Sequence, residues 1–338
     1  MLKVGIVGSG FMGQTHADAY AKTEGVEIAG FVDLAKERRE ELAHKYKASA
    51  FDTLDQLLDA ADPDIIDICL PTNLNAAFVE GAAKAGKAIL VEKPIALNLE
   101  DADRIISVAR ENKVKIMVAH VLRFWPRYVH IRELILSKEI GDVISVDAVR
   151  VCTTPEFTDW YRMREVGGGA VINLLIHDLD FCNWLFGSPQ QVYAAGTKSS
   201  YGSLDDVACV ISYEGGIQAA IKGSFMMPRT FPFTMQFFAL GDRGCIEFDF
   251  RAGENLEDRE NAIDRMVLFK NNEYFEIESD PKDAYLAEIE YFVKCVAEDR
   301  DPEIATLDDA RAALALALAC IESADTGSPV TSGIGVRS

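Results

Sequence analysis

Three groups of side chains in this sequence have the types and spacing to do chemistry. The first centres on Lys93. Ala88-Ile89-Leu90-Val91 reads as a buried parallel strand that runs directly into Glu92-Lys93-Pro94. Ligands of an open parallel sheet sit outside the carboxyl ends of its strands, so a lysine there faces whatever the sheet binds, and Pro94 restricts the backbone beside it. The second is the pair Asn173 and His177, four residues apart on an expected helix from Ala170 to Phe186 that Gly167-Gly168-Gly169 opens. That spacing puts both on one helix face. Asparagine donates and accepts hydrogen bonds, and histidine can carry a proton near neutral pH. The bland alternative is a core histidine at position 177, with Asp178 and Asp180 on a solvated face.

The third group is Gly8-Ser9-Gly10-Phe11-Met12-Gly13, which joins a strand, Leu2–Val7, to a helix running to about Lys22. Gly-x-Gly-x-x-Gly in this setting is a dinucleotide-binding pattern. Gly8 permits the tight turn, Gly10 lets the backbone approach a pyrophosphate, and Gly13 lets helix and strand pack closely. The helix start offers free N–H groups and the positive end of its dipole. The next strand, Val26–Val32, ends at Asp33, 20 residues after Gly13. A carboxylate there accepts hydrogen bonds from the adenosine ribose hydroxyls and repels a 2′-phosphate. Arg38 and Arg39 could meet such a phosphate, but they follow Asp33 by more than one helical turn. The expected cofactor is therefore NAD rather than NADP.

The elements that must position these residues alternate through the first 120 residues. Further strands are expected at Ala48–Phe51, Ile65–Leu70, Ala88–Val91 and Val114–Ala119, with helices at Ala35–Tyr46, Asp55–Ala60, Asn75–Ala85 and Leu99–Asn112. Six strands make a full doubly wound fold. The fourth ends at Leu70-Pro71-Thr72-Asn73, so Pro71, Thr72 and Asn73 join Glu92 and Lys93 as expected cofactor contacts. From His120 the pattern changes. A helix, Arg127–Ser137, and a strand, Val143–Cys152, lead to a loop at Asp159-Trp160-Tyr161-Arg162, then the Ala170–Phe186 helix. Seven strands are then expected: Val192–Thr197, Val207–Tyr213, Ile217–Phe225, Phe233–Leu240, Cys245–Phe250, Met266–Lys270 and Tyr274–Ile277. Gly215-Gly216 joins two of them as a hairpin. Strands in succession without helices indicate a mostly antiparallel sheet. Helices Pro281–Glu298 and Leu307–Thr326 close the chain. The expected fold is α/β, with a Rossmann domain over residues 1–120 and an α/β domain with a large, mostly antiparallel open sheet over 121–338. The closing helices are candidates to pack back on the first domain. One sheet face, carrying Phe225, Phe233, Phe237 and Phe238, is expected to need a second subunit, giving a homodimer or homotetramer.

Bulk properties narrow the function classes. The 338 residues hold 34 basic and 54 acidic side chains, a net charge of −20, which opposes nucleic-acid or anionic-membrane partners. Seven cysteines, an odd number with no Cys-x-x-Cys, read as reduced thiols of a cytoplasmic protein. The first strand starts at Leu2, where a signal peptide would stand, and the apolar run Ala312–Ile321 is too short to span a bilayer. No histidine stands at metal-ligand spacing, so no metal is expected.

Taken together, Gly8–Gly13, Glu92-Lys93-Pro94, Arg123-Phe124 and Gly167-Gly168-Gly169-Ala170-Val171-Ile172-Asn173 through His177 to Asp180 resemble the glucose–fructose oxidoreductase and inositol dehydrogenase family, over essentially the whole chain. The resemblance implies a Rossmann domain followed by an α/β domain, and hydride transfer at a secondary alcohol of a sugar, cyclitol or related polyol. By position Lys93 resembles the family's active-site lysine and His177 its proton-transfer histidine. Asn173 would orient the hydroxyl, and Arg123 and Trp160 would contact substrate. Two positions depart from the family: Asn173 stands where aspartate is common, and Asn75 where histidine is frequent. Two other activities fit the same scaffold: NAD-dependent glycoside hydrolysis with transient oxidation, and ligand sensing without turnover.

Overall fold

The computed structural model describes residues 1–154, 159–253, 262–278 and 280–331. The first stretch alternates: β1 Leu2–Val7, α1 Phe11–Tyr20, β2 Val26–Val32, α2 Lys36–Tyr46, β3 Ser49–Phe51, α3 Leu54–Ala61, β4 Ile65–Ile68, α4 Asn75–Lys84, β5 Ala88–Glu92, α5 Leu99–Asn112 and β6 Ile116–Ala119. The middle holds α6 Pro126–Leu136, β7 Val143–Val151, α7 Ile176–Phe186, β8 Gln191–Lys198, β9 Leu204–Ser212, β10 Gln218–Ser224, β11 Thr234–Gly241, β12 Gly244–Arg251, β13 Ile263–Lys270 and β14 Glu273–Glu276. Helices α8, Ala284–Ala297, and α9, Leu307–Thr326, come last. Two compact units result: Met1–Trp125 with Lys282–Arg311, and Pro126–Pro281 with Ala312–Ser338.

The first unit is built on a six-stranded parallel sheet in the order β3-β2-β1-β4-β5-β6. This is the doubly wound dinucleotide order. A parallel sheet covered on both faces needs near-continuous apolar strands. Ile65, Ile66 and Ile68 on β4 and Ile89, Leu90 and Val91 on β5 supply them, and all are fully buried. Asp67 interrupts that run and is fully buried too. Helix α8 joins this unit by packing on α1, where Ile289, Phe292 and Val293 meet the core of Ala17 and Tyr20. It starts at Ala284 rather than at the expected Pro281 because the Asp283 carboxylate accepts from the Leu286 N–H at 3.0 Å and caps the first turn.

The second unit carries an eight-stranded sheet, β14-β13-β12-β11-β7-β10-β9-β8. Every pair is antiparallel except β10 with β7. Gly215 and Gly216, both at positive φ, turn β9 into β10 as the sequence indicates. Strands β9 and β13 each begin three residues before the expected Val207 and Met266. Their polar openings still complete ladders, with Asp206 opposite Ser224 and Arg265 opposite Asp249. Helices α6 and α7 cover the inner face through edge-on aromatic contacts. Tyr128 meets Phe181 at 4.8 Å and Phe248 at 5.5 Å, and Phe181 meets Phe237 at 5.2 Å. The structure corrects the expected aromatic outer face: Phe225 and Phe237 are buried, and Phe233 and Phe238 are half-buried, Phe233 against the cluster that holds Phe225. Alternation places Phe237 with Met235 and Ala239 on the covered side. The open side is mixed, with Val210 and Leu240 exposed among Asp147, Glu247 and Lys222.

Candidate active site

In the first unit the glycine turn closes by contacts that leave no room for a side chain. Gly8 has φ +103°, and a Cβ there would lie 2.2 Å from the Cys69 carbonyl oxygen; one on Gly13 would lie 1.9 Å from the Gly8 oxygen. A Cβ on Gly10 would meet nothing within 4 Å, so the backbone there borders open space. Gly10 is also the N-cap of α1, with no side-chain cap and no acidic residue in the first turn. A bare helix start beside open space fits a pyrophosphate. Phe11 is exposed and Met12 half-buried in that turn. At the end of β2, the Asp33 carboxylate accepts from Ser9 N and Ala35 N, each at 2.7 Å. Its aim is thus set by backbone before any ribose is bound. The exposed Arg38 guanidinium is 3.6 Å from Asp33, whereas Arg39 is taken up by the Asp33 carbonyl and the Asp52 carboxylate.

The carboxyl ends of β4 and β5 lie on the same edge of this sheet as that turn. After β4, Thr72 is buried and Pro71 half-buried, while Asn73, in the 3₁₀ turn Thr72–Leu74, is exposed. At the end of β5, Lys93 is half-buried between buried Glu92 and Pro94, and the Lys93–Pro94 peptide is cis. Sequence reasoning noted Asn75 only as a departure from the family. Its amide, buried at the start of α4, donates to the carbonyl oxygens of Pro94 at 3.0 Å and Glu92 at 3.3 Å, holding the lysine-bearing turn. Arg123 is buried, with one nitrogen 3.1 Å from Asp309. No histidine stands at metal-ligand spacing in the sequence, but one does come near ligand-type side chains in space. His16, Asp67 and Cys69 bring ligand-type atoms within 4.8 Å of one another. Hydrogen bonding explains the group: His16 Nδ1 is 2.8 Å from Asp67 Oδ2, and Cys69 donates to Asp67 Oδ1 at 3.4 Å.

In the second unit the expected helix from Ala170 to Phe186 is present but not uniform: Ala170 is α-helical, Val171–Leu175 form a π-helical turn, and α-helix resumes at Ile176. Asn173 lies within that turn, and His177 in the α-helix that continues from it. Asn173 is buried and its amide reaches the Gly167 carbonyl at 3.4 Å; His177 is half-buried in the first turn of α7. The glycines serve close packing on both sides. A Cβ on Gly167 would come 2.6 Å from the Trp160 carbonyl, and one on Gly169 2.3 Å from Ser203 Cβ. Trp160, half-buried in a 3₁₀ turn, stacks on Tyr161 with ring centroids 4.1 Å apart. Asp178 and Asp180 are not a solvated face, being 1% and 0% exposed. Arg150 on β7 meets both Asp178 oxygens, at 2.6 and 3.0 Å, and reaches the Tyr128 hydroxyl at 3.1 Å. Asp178 was hidden in the sequence as a partner for Arg150 because the helix period could not be read through the π turn.

Two family models match the chain: one described as an oxidoreductase family NAD-binding Rossmann fold, over residues 2–120, and its C-terminal α/β domain, over 132–331. The chain belongs to the Gfo/Idh/MocA oxidoreductase family. Within that family it is 29% identical to inositol 2-dehydrogenase of Rhizobium meliloti over 333 residues, 95% of this chain and 96% of that one. The solved UDP-N-acetylglucosamine 3-dehydrogenase of Acidithiobacillus ferrooxidans superposes with a TM-score of 0.81 at 25% identity, covering 96% and 98% of the two chains. Aldose–aldose oxidoreductase of Caulobacter crescentus shares the fold, with a TM-score of 0.85 at 22% identity over 98% and 99%. The Rossmann domain of this family binds NAD(P), and the open glycine turn lies within the residues that its model matches. Among the described residues no helix is long and apolar enough to cross a membrane.

Proposed function

We propose that this protein oxidises a secondary alcohol of a sugar, cyclitol or related polyol, or reduces the corresponding ketone. The observation that carries the reading is Lys93, at the carboxyl end of β5 on the sheet edge that bears the Gly8–Gly13 turn. The bound nicotinamide supplies hydride chemistry. His177 removes the hydroxyl proton as the carbon gives up hydride, Lys93 donates a hydrogen bond to the same oxygen as negative charge develops on it, and Asn173 orients that hydroxyl. In the reducing direction His177 returns the proton. Arg123 and Trp160 are the further proposed substrate contacts. The relatives' reactions on inositol and on a sugar nucleotide support this substrate class.

NAD is the proposed cofactor, held at its pyrophosphate by the backbone from Gly8 to Gly13 with Phe11 and Met12, and flanked by Pro71, Thr72, Asn73 and Glu92. Asp33 supports the preference, since a carboxylate at the end of the second strand accepts from the ribose hydroxyls and repels a 2′-phosphate. Arg38 is the competing feature and would soften that preference. A cytoplasmic homo-oligomer is the proposed context, the first because all seven cysteines are free.

The test is a panel of myo-inositol, glucose, xylose and UDP-N-acetylglucosamine with NAD and NADP, followed at the NADH absorbance. On the best substrate, Lys93→Ala and His177→Ala should each lower kcat by roughly 10²–10⁴-fold, the range of a positioned acid–base group. NAD affinity should change far less, because the phosphate turn and Asp33 remain. Near-normal turnover in either variant removes that residue from the mechanism. Asp33→Ala should narrow the gap between NAD and NADP, and a wide NADP preference in the unmodified protein would refute the cofactor assignment.

A further inference from the structure

The functional reading leaves a buried ionisable cluster in the first unit unused. His16 is fully buried on α1, three residues beyond Gly13. Its Nδ1 holds Asp67 of β4 at 2.8 Å, with Cys69 Sγ 3.5 Å away. Its Nε2 lies 3.2 Å from Oε1 of Glu92, the last residue of β5; this is an ion-pair contact off the hydrogen-bond axis. Helix α8 contributes the Tyr285 ring, 6.3 Å from the imidazole, and the Glu288 carboxyl, fully buried with neither oxygen hydrogen-bonded. The buried hydroxyl of Tyr20 completes the surroundings.

Three carboxyl groups so near one another cannot all be ionised around a neutral imidazole. Burial holds the Glu288 carboxyl protonated well above the usual carboxylate range. Burial would lower the pKa of His16, but Asp67 and Cys69 outweigh it and raise the imidazole well above the ordinary histidine value. The imidazole thus stands between the side chains of Asp67 and Glu92, with the Glu288 carboxyl close by. A buried ion set of this kind is often no more stabilising than well-packed apolar side chains of similar volume. Stability alone therefore does not account for it. What it does geometrically is fix the end of β5. Glu92 is covalently next to Lys93; His16 holds its side chain, and Asn75 holds its carbonyl and that of Pro94.

We propose that His16 is a positioning residue for Lys93: by tying Asp67 to Glu92 it holds the carboxyl end of β5 and aims the lysine amine. The proposal rests on the reading of Lys93 as a proton-handling group. One side chain then joins the helix whose start faces the pyrophosphate to the strand that carries the lysine, so cofactor and amine keep one frame of reference.

The experiment compares His16→Leu, His16→Gln, Lys93→Ala and the His16→Leu/Lys93→Ala double variant, with kcat on the best panel substrate, NAD binding and Tm measured for each. His16→Leu should lower kcat by roughly 10–100-fold, the scale of a misplaced reacting group, with NAD affinity changed less than about threefold. His16→Gln should recover part of the loss by keeping a donor. In the Lys93→Ala background His16→Leu should cost little more, since its effect passes through the amine. A folded His16→Leu that loses only Tm, or one that costs the same factor with and without Lys93, overturns the proposal. If His16→Leu does not fold, Glu92→Gln, which cuts the tie from its other end, goes through the same comparison. Normal turnover in Lys93→Ala defeats the reading of the lysine and this proposal with it. That result is distinct from a silent His16→Leu beside an impaired Lys93→Ala.

Discussion

Glu288 shows what a single buried acid does to a domain. Its folded-state pKa is raised by desolvation first, and by Glu92 and Asp67 next, against a lowering by His16. The unfolded chain releases this proton in the ordinary carboxylate range, while the folded chain keeps it. Folding stability therefore falls as pH rises from that range towards the raised value, by up to about 1.4 kcal/mol per pH unit for this one group. His16 acts in the same alkaline direction. Its raised pKa contributes stability that is fully present below the ordinary histidine value and lost as pH passes the elevated one. Glu288→Gln should consequently be more stable than the unmodified protein at neutral pH, with a gap that widens upward. Urea titrations at several pH values test it; a constant or reversed gap would mean that Glu288 is ionised in the fold. Neither residue was picked out in the sequence, because His16 and Glu288 lie more than 250 residues apart and no local pattern links them.

At the scale of elements, the tie between β7 and α7 decides how the helix bearing His177 is seated on its sheet. The Arg150 guanidinium engages both oxygens of Asp178, both residues being buried. Removing one partner strands the other charge in the interior, which typically costs about 3–5 kcal/mol. Arg150→Met should lose stability on that scale, and Arg150→Met with Asp178→Asn should recover a good part of it. Denaturant midpoints read both; equal losses in the two would show that packing and not charge is at stake. The parallel sheet was legible because its strands are short apolar runs spaced by helices, and the glycine turn because Gly8 and Gly13 answer to a steric need and Gly10 keeps the backbone open. Helix α7 was half-legible. Apolar residues on every side of Asn173 erase the period, so a π turn and an α turn look alike in sequence. The outer sheet face was misread for a related reason: Phe237 and Phe238 are adjacent, and only the register with β7 and β12 says which one points inward.

For the molecule as a whole, one face of the eight-stranded sheet of the second unit carries Val210 and Leu240 exposed and Phe238 half-buried among the described residues. Charged neighbours on that face, Asp147, Glu247 and Lys222 among them, suit a partner with the same surface turned about a two-fold axis, where acid can meet base. A homodimer or a dimer of dimers is expected at micromolar concentration. Light scattering gives the mass directly, and a monomer would show that the mixed face is simply solvated.

The placement of α8 reaches further than packing. The first unit opens the chain, yet its core waits for Ile289, Phe292 and Val293, which the ribosome adds only after the whole of Pro126–Pro281 has been made. At roughly 5–20 residues per second that interval is on the order of ten seconds. Through it, the α1 surface around Ala17 and Tyr20 stays exposed on a nascent chain, available to chaperones or to a neighbouring nascent copy. Lesions in α8 would then lower the yield of protein from cells more than the turnover of the molecules that mature.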